Sequence, residues 1–378
     1  ADLFADADLR VLAPGSVRCP AGQYPHGLLD ILRDAPPGPW MYTGALENHP
    51  NLVRALAEIR PLWGNDANAL VRCRSPFVIE RLLQDEGLAA PEARGADAER
   101  PGYCRWLRKP LAGAAGQGIE FADAVAGPRS PRHYYQQFVP GRPMSAVYVR
   151  ARGETRLVGV TEQLIGEDWL YAPPFRYAGN VGPVEVPVGF RDELVRIGRV
   201  LGDACGLLGI FGVDFVEDDG RPWVVEVNPR YPASVEVLER ATVVAALGHH
   251  RSAFDPEAPT GAGPVVGCPV AGKAILYSPR RVVMPDWTAG PLAGMLGPAV
   301  TGPGQCPQSY ADIPHPGEVI EPGWPILTVL GDGNDRSGCL AVLRSRAAAV
   351  ERAILGTPPA ELAAARRLYD RIGDEQSE

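Results

Sequence analysis

Two acidic residues and an asparagine, Asp214, Glu226 and Asn228, fall in one short stretch, GIFGVDFVEDDGRPWVVEVNPRYP (209–232). Phe211, Val213 and Phe215 alternate with Gly212, Asp214 and Val216. After an Asp-Asp-Gly turn signal, Trp223, Val225 and Val227 alternate with Val224, Glu226 and Asn228. Period-two patterning on both sides of such a turn predicts a β-hairpin. Counting outward from a turn centred on Gly220 sets Asp214 opposite Glu226, with Asn228 two residues along on the same face. Opposed side chains lie about 4.5–5.5 Å apart at Cβ, and like charges there repel. The pair therefore needs a cation or a shared proton. Two carboxylates and an amide suit Mg²⁺ beside substrate phosphates, with Mn²⁺ as the alternative ion. Apolar residues on both faces of these strands imply a buried sheet rather than a solvated hairpin with incidental acids.

Upstream, CRWLRKPLAGAAGQGIEF (104–121) runs from a strand ending at Lys109 into a loop with Gly113, Gly116 and Gly118. Glycines let backbone N–H groups close around phosphate, and lysine adds a point charge. The spacing is that of neither a P-loop nor a dinucleotide fingerprint, and an ordinary hairpin turn is the competing reading. The segment YYQQFVPGRPMSAVYVRA (134–151) reads as strand, Pro-Gly turn, strand. An adenine would fit where the chain leaves the first strand, against backbone groups of Gln137 and Val139 and the ring of Phe138, but taken by itself the segment reads more simply as an ordinary hairpin with a Pro-Gly turn.

These motifs need elements to hold them. Gly27–Arg33 and Asn51–Ile59 have helical patterns and Trp40–Thr43 a strand pattern, which predicts a small parallel α/β unit over 1–75. The opening ADLFADADLRVLAP reads as the exit from a buried strand, so the expectation is a unit lacking its first strand and helix. A helix follows at Pro76–Glu86, ended by Gly87; residues 88–102 read as a connection, and strand and helix signals run from Tyr103 to about Glu239. Residues 251–267 are rich in Pro and Gly and read as a linker. Residues 268–378 read as a small β-rich domain, with short β runs to 345 and a helical tail over 360–372.

With 378 residues, 46% hydrophobic and 22% charged, the composition is that of a globular protein of two or three units. The net charge of -8 argues against a nucleic-acid footprint. No apolar run reaches the roughly 18 residues of a membrane span, and no secretory leader opens the sequence, so the expectation is a cytoplasmic protein. The seven cysteines lack any C-x-x-C pair, which suits free thiols. His249 and His250 are adjacent and would point apart, which favours surface histidines over a metal pair.

Taken together, the lysine and glycine loop, the hinge and the acidic hairpin resemble, in order and spacing, the ATP-grasp ligases. The resemblance is strongest over roughly 75–240. It implies an ATP-grasp fold over 76–250, with a preceding partial Rossmann-like domain and the β-rich C-terminal domain. It assigns Lys109, Gly113, Gly116 and Gly118 to phosphates, Gln136, Gln137, Phe138 and Val139 to adenine, and Asp214, Glu226 and Asn228 to two magnesium ions. EVNPR, with Arg230 after the asparagine, looks like the biotin carboxylase and carbamoyl phosphate synthetase branch, where the arginine stabilises the acyl phosphate and the anionic transition state. FADAD, YTGALEN, WGN and DIPHPGEVIEPGWPILTVL look most like predicted carboligases of one-carbon pathways using tetrahydromethanopterin and methanofuran. Two positions depart from the pattern. Pro76 stands near an expected second basic residue, leaving Arg74 as the nearest substitute, and Pro143–Met144 stand where an acidic ribose contact is expected.

The activity so implied is phosphorylation of a carboxylate by ATP, then attack by an amine, with catalytic roles for Lys109 and Arg230. Arg230 suits an oxyanion. Gln163, Arg176, Tyr177 and Asn180 are candidate substrate contacts, and Glu47 a candidate partner for the amine. The partners are small-molecule acids and amines, with glutamate joined to a cofactor precursor as the leading pair; a homodimer is compatible. The rival readings are an ATP-dependent carboxylase making carboxyphosphate and a catalytically silent nucleotide-binding regulator.

Overall fold

The structure is a computed structural model, and it describes residues 1–378 apart from 14, 125–130, 243, 259–268, 288–308 and 357–378. Helices α1 (Ala7–Leu12), α2 (Leu28–Asp34), α3 (Pro50–Ile59) and α4 (Ala67–Cys73) make up the N-terminal region. They close on a small core of Tyr42, Leu46, Leu52, Val53, Leu56 and Leu70. The strand expected at Trp40–Thr43 is a single parallel bridge from Trp40 to Leu62, and a second bridge joins Asp2 to Arg18. Helix α5 (Pro76–Asp85) begins where expected, because Ser75 caps the Val78 N–H and Pro76 occupies a first-turn position that needs no donor.

A four-stranded antiparallel sheet follows, in the order β1 (Ala93–Gly95), β4 (His133–Gln137), β2 (Trp106–Pro110) and β3 (Glu120–Phe121). The larger sheet has eight strands. Its members are β5 (Arg142–Ala151), β6 (Glu154–Ile165), β7 (Tyr177–Gly182), β8 (Gly209–Asp218), β9 (Arg221–Asn228), β10 (Val270–Tyr277), β12 (Tyr310–Ala311) and β14 (Pro325–Gly333). They run in the order β12-β14-β10-β7-β6-β5-β8-β9. Short strands β11 (Val282–Val283) and β13 (Val319–Ile320) pair with each other.

One face of this sheet is apolar. Met144, Ala146, Tyr148, Phe211, Val213 and Phe215 pack there against α5 and α6 (Val188–Cys205). The opposite face carries Val147, Val149 and Ile210 under α7 (Ser234–Thr242) and α8 (Ala246–Ser252). The sequence reads 268–378 as a further β-rich unit, but β10, β12 and β14 of that region extend the same sheet, since β10 pairs antiparallel with β7. Where the sequence reads as β runs up to 345, a long helix α9 (Arg336–Ile354) instead backs β10 and β14. Asp335 caps it through the Gly338 N–H at 2.7 Å. The expected tail helix at 360–372 lies outside the described residues. Among the described residues no helix is long and apolar enough to cross a membrane.

His250 is not a surface residue but is buried, at 4% exposure. Its Nδ1 accepts the Ile210 N–H at 3.0 Å, and its Nε2 lies 3.0 Å from the Trp63 carbonyl. That pattern fixes a neutral ring with the proton on Nε2, and burial lowers its pKa. The residue ties α8 to β8 and to the N-terminal region.

Candidate active site

Hairpin β8–β9 turns through Asp219 and Gly220, whose φ values of 49° and 70° are both positive, the geometry of a two-residue primed turn. The closing pair is Asp218 and Arg221, one residue out of step with a turn centred on Gly220. Phe215 accordingly faces Val224. Between that pair and the next the register shifts, so that Asp214 faces Glu226 and Gly212 faces Asn228. Val225 is the extra residue of a β-bulge. Without it Glu226 would share the core face with Val224; with it Val224 and Val227 both enter the apolar core, and Glu226 and Asn228 join Asp214 on the opposite face. The expected opposition of Asp214 and Glu226 is therefore present, but a bulge creates it rather than a strict alternation.

The two acids are held differently. Asn228 Nδ2 donates to Asp214 Oδ2 at 2.9 Å. Burial, and then the charge of Glu226, push Asp214 up to about 6. Burial would also raise Glu226, yet Arg74, Lys109 and Arg230 outweigh it and its pKa falls below the usual carboxylate value. Arg74 donates directly to Glu226 Oε1 through Nη1, and through Nη2 to Asn48 Oδ1 at 3.0 Å and the Gly113 carbonyl at 2.8 Å. Among the described residues no three His, Cys, Asp or Glu side chains gather into a metal cluster. The oxygen donors present for a hard cation are Asp214, Glu226 and Asn228, and a raised Asp214 beside a cation-paired Glu226 is the chemistry of a charge site short of positive charge.

Arg230 leaves the end of the same hairpin. Its Nε donates to Glu47 Oε1 at 2.8 Å and its Nη2 to Asn228 Oδ1 at 3.2 Å. Glu47 is 2% exposed, and its Oε2 is buried with no hydrogen-bond partner among the described residues. It comes from the N-terminal region, so two separate parts of the chain assemble this corner.

Lys109 ends β2 and is buried, with Nζ donating to Gln136 Oε1 at 2.9 Å. Gln136 Nε2 reaches the bulge carbonyl of Val225 at 3.4 Å, so the bulge also links the two sheets. In the loop beyond, Gly116 has φ +74°, and a Cβ there would lie 1.8 Å from the Phe175 carbonyl oxygen. At the hinge, the N–H groups of Gln137 and Phe138 are committed to the Glu92 and Arg105 carbonyls, at 2.8 and 2.9 Å. The Val139 N–H makes no hydrogen bond to another described residue. Phe138 meets Phe121 edge-on, with ring centroids 5.2 Å apart.

A cavity of about 780 Å³ joins these parts. Lys109, Gly116, Gln136, Gln137, Phe138, Val139, Asp214, Glu226, Asn228, Arg230, Glu47, Gln163, Tyr177 and Asn180 all line it. Gly113 and Gly118 do not; Gly113 lines a smaller adjacent pocket of about 50 Å³ together with Arg74. Arg176 is also absent from the large cavity and lies over the Tyr277 ring, 5.5 Å from its centroid. Among the lining residues that the sequence does not single out are Ser145, Glu236 and Lys273. They carry no local motif and meet only because β5, α7 and β10 converge.

Residues 74–234 match the model of the ATP-grasp domain, somewhat under half of the chain. No curated protein matches the sequence significantly. Among solved structures, the L-amino acid ligase from Bacillus licheniformis is similar at 18% identity and TM-score 0.63, over 88% of this chain and 87% of that one. N5-carboxyaminoimidazole ribonucleotide synthetase from Thermus thermophilus is similar at 16% identity and TM-score 0.63, over 95% and 92%. The biotin carboxylase domain dimer of Hydrogenobacter thermophilus 2-oxoglutarate carboxylase, in complex with MgADP and bicarbonate, gives 13% identity and TM-score 0.63, over 87% and 79%. The chain spans 65% of the length of an ATP-grasp superfamily protein from Archaeoglobus fulgidus, at 23% identity and a TM-score of 0.47. The fold is thus the ATP-grasp fold, mixed helix and sheet with antiparallel sheets.

Proposed function

We propose that the chain is an ATP-dependent carboxylate–amine ligase, acting through an acyl phosphate and releasing ADP and phosphate. One observation carries the reading: Asp214, Glu226, Asn228 and Arg230, all from one hairpin, share a single cavity with Lys109 and the hinge. Asp214, Glu226 and Asn228 would hold magnesium, two ions in our reading, and Lys109 with the Gly116 backbone would face the phosphates. Bound there, MgATP would supply the phosphoryl group that activates the carboxylate.

The chain's own groups do the rest. Val139 offers an open N–H to the edge of a base, beside Phe138. Arg74 holds Glu226 and is the basic residue placed to exchange that carboxylate for a phosphate oxygen. Arg230, oriented by Glu47, would receive the carboxylate and stabilise negative charge developing on its oxygen. Glu47 Oε2, with no partner among the described residues, is the acceptor available to an incoming amine.

The resemblance to one-carbon carboligases supports glutamate as the added acid and an amine-bearing cofactor precursor as acceptor. The test is ADP release screened against pooled amino acids, amines and bicarbonate, with mass detection of products. Amide products support the ligase; turnover with bicarbonate alone favours a carboxylase; nucleotide binding with no ADP release under any condition favours a silent regulator.

A further inference from the structure

The face of the large sheet that carries Asp214 continues as a polar row across five strands. Asp214 faces Ser145, Ser145 faces Thr161, Gln163 faces Asn180, and Asn180 faces Lys273. Asn180 Nδ2 donates to Thr161 Oγ1 at 2.8 Å, which links the two halves of the row. Helix α7 lies over it, with Ser234 Oγ 3.4 Å from Ser145 Oγ and Glu236 Oε2 2.9 Å from Lys273 Nζ. Asp214, Ser145, Gln163, Asn180 and Lys273 of the row, with Ser234 and Glu236 of the helix, line the same cavity as Lys109 and the hinge.

A buried ammonium is costly unless its donors are satisfied. Lys273 is 9% exposed, and its ammonium, with three donors, makes one hydrogen bond to the described residues. Glu236 leaves its own carboxylate partly open, with 39% of the side chain exposed. Gln163 makes no side-chain hydrogen bond to a described residue, although its amide reaches the same cavity. A structural ion pair serving only to dock α7 has no use for open donors facing a void. Lys273 is paired with Glu236 and also lies in the field of Asp312, so the positive charge it can offer suits a carboxylate monoanion better than a phosphate dianion.

We infer that Lys273, flanked by Gln163 and Asn180, is a binding site for a carboxylate on the substrate, distinct from the carboxylate received at Arg230. Glu236 competes for the same cation and so weakens that binding. The inference rests on the ligase reading for its place in catalysis, but not for its test. The substrate class it names is a molecule with a free carboxylate remote from the reacting group, such as an amino acid, rather than a simple amine.

The experiment is calorimetric titration of the full chain, without ATP, using glutarate and its uncharged counterpart glutaramide. Wild type should bind glutarate about tenfold or more tightly than glutaramide. Lys273→Met should lower that preference severalfold, to the share left by Arg230, Lys273→Arg should retain most of it, and Glu236→Gln should tighten glutarate binding severalfold. Thermal melts of the variants check that each is folded. Absence of a preference in wild type, or a folded Lys273→Met that keeps it, overturns the inference. Because no turnover is read, a chain without ligase activity still returns an answer.

Discussion

Arg74 donates to the same Glu226 carboxylate that the Val225 bulge turns toward Asp214. The cleft thus carries a positive group in place on one acid, while the other stays close to its proton. Asp214→Asn and Glu226→Gln should each lower ADP release by roughly a hundredfold or more, since each removes an anionic donor to a hard cation. Magnesium titration in the presence of ADP gives an independent reading. Activity within a few-fold of wild type in either variant would falsify the metal assignment.

Glu47 and Arg230 form a pair that joins the N-terminal region to the hairpin, with side chains 2% and 17% exposed. Removing one partner of such a pair leaves a buried charge, so Glu47→Ala should cost about 3–5 kcal/mol of stability. Arg230→Ala should lower kcat by roughly 10²–10³. If Glu47 acts by orienting Arg230, the double variant should lose much less than the sum of the two losses. Fully additive effects on kcat/KM, measured in a double-mutant cycle, would show two separate roles.

Gly116 and Gly220 both have φ near +70°, but their surroundings differ. A Cβ at 220 meets open space, whereas at 116 it strikes the Phe175 carbonyl oxygen. Gly220→Ala should therefore cost only the backbone penalty of about 1–2 kcal/mol. Gly116→Ala must move the loop off residues 173–177, and should weaken nucleotide binding by about tenfold or more as well. Thermal melts and nucleotide titration separate the two cases; equal ATP affinities would remove the loop from the site.

Asp6 is pushed up to about 7 by burial, then by Asp312, Asp2, Asp8 and Glu318. In the unfolded chain the same carboxyl titrates near its ordinary 3.8. Between these values the folded state binds the extra proton, so this contribution to stability is complete below about 3.8 and is lost as pH rises through about 7. Asp6→Asn keeps a neutral side chain at every pH. Its Tm should gain on wild type as pH increases from 4 to 7, and the gap should stop widening above that range. A gap independent of pH would mean Asp6 does not titrate there.

The hairpin shows how a strand pairing can be read correctly from the sequence and its cause still be misread. Alternation marks Phe211, Val213 and Phe215 as one face, and that holds. On β9, Val224 and Val227 share a face although they are three positions apart, and nothing in VVEV distinguishes a bulge from an unbroken strand. Lys109 and the hinge are legible because each sits at the end of a patterned strand. Lys273 and Glu236 are not, because their meeting depends on β10 docking beside β7, almost a hundred residues earlier in the chain. The N-terminal region also resists reading: Trp40–Thr43 has strand composition, but a single bridge to Leu62 satisfies it.

That docking of β10 has a practical consequence for dissecting the molecule. A fragment ending near residue 258 would retain the hairpin, the hinge and the glycine loop, yet it would strip β7 of its neighbour. Its backbone donors and acceptors, and the apolar side chains of Leu164, Ala178 and Val181, would then face water as a bare sheet margin. Such margins recruit other chains, so the shortened protein should self-associate rather than report on a minimal catalytic core.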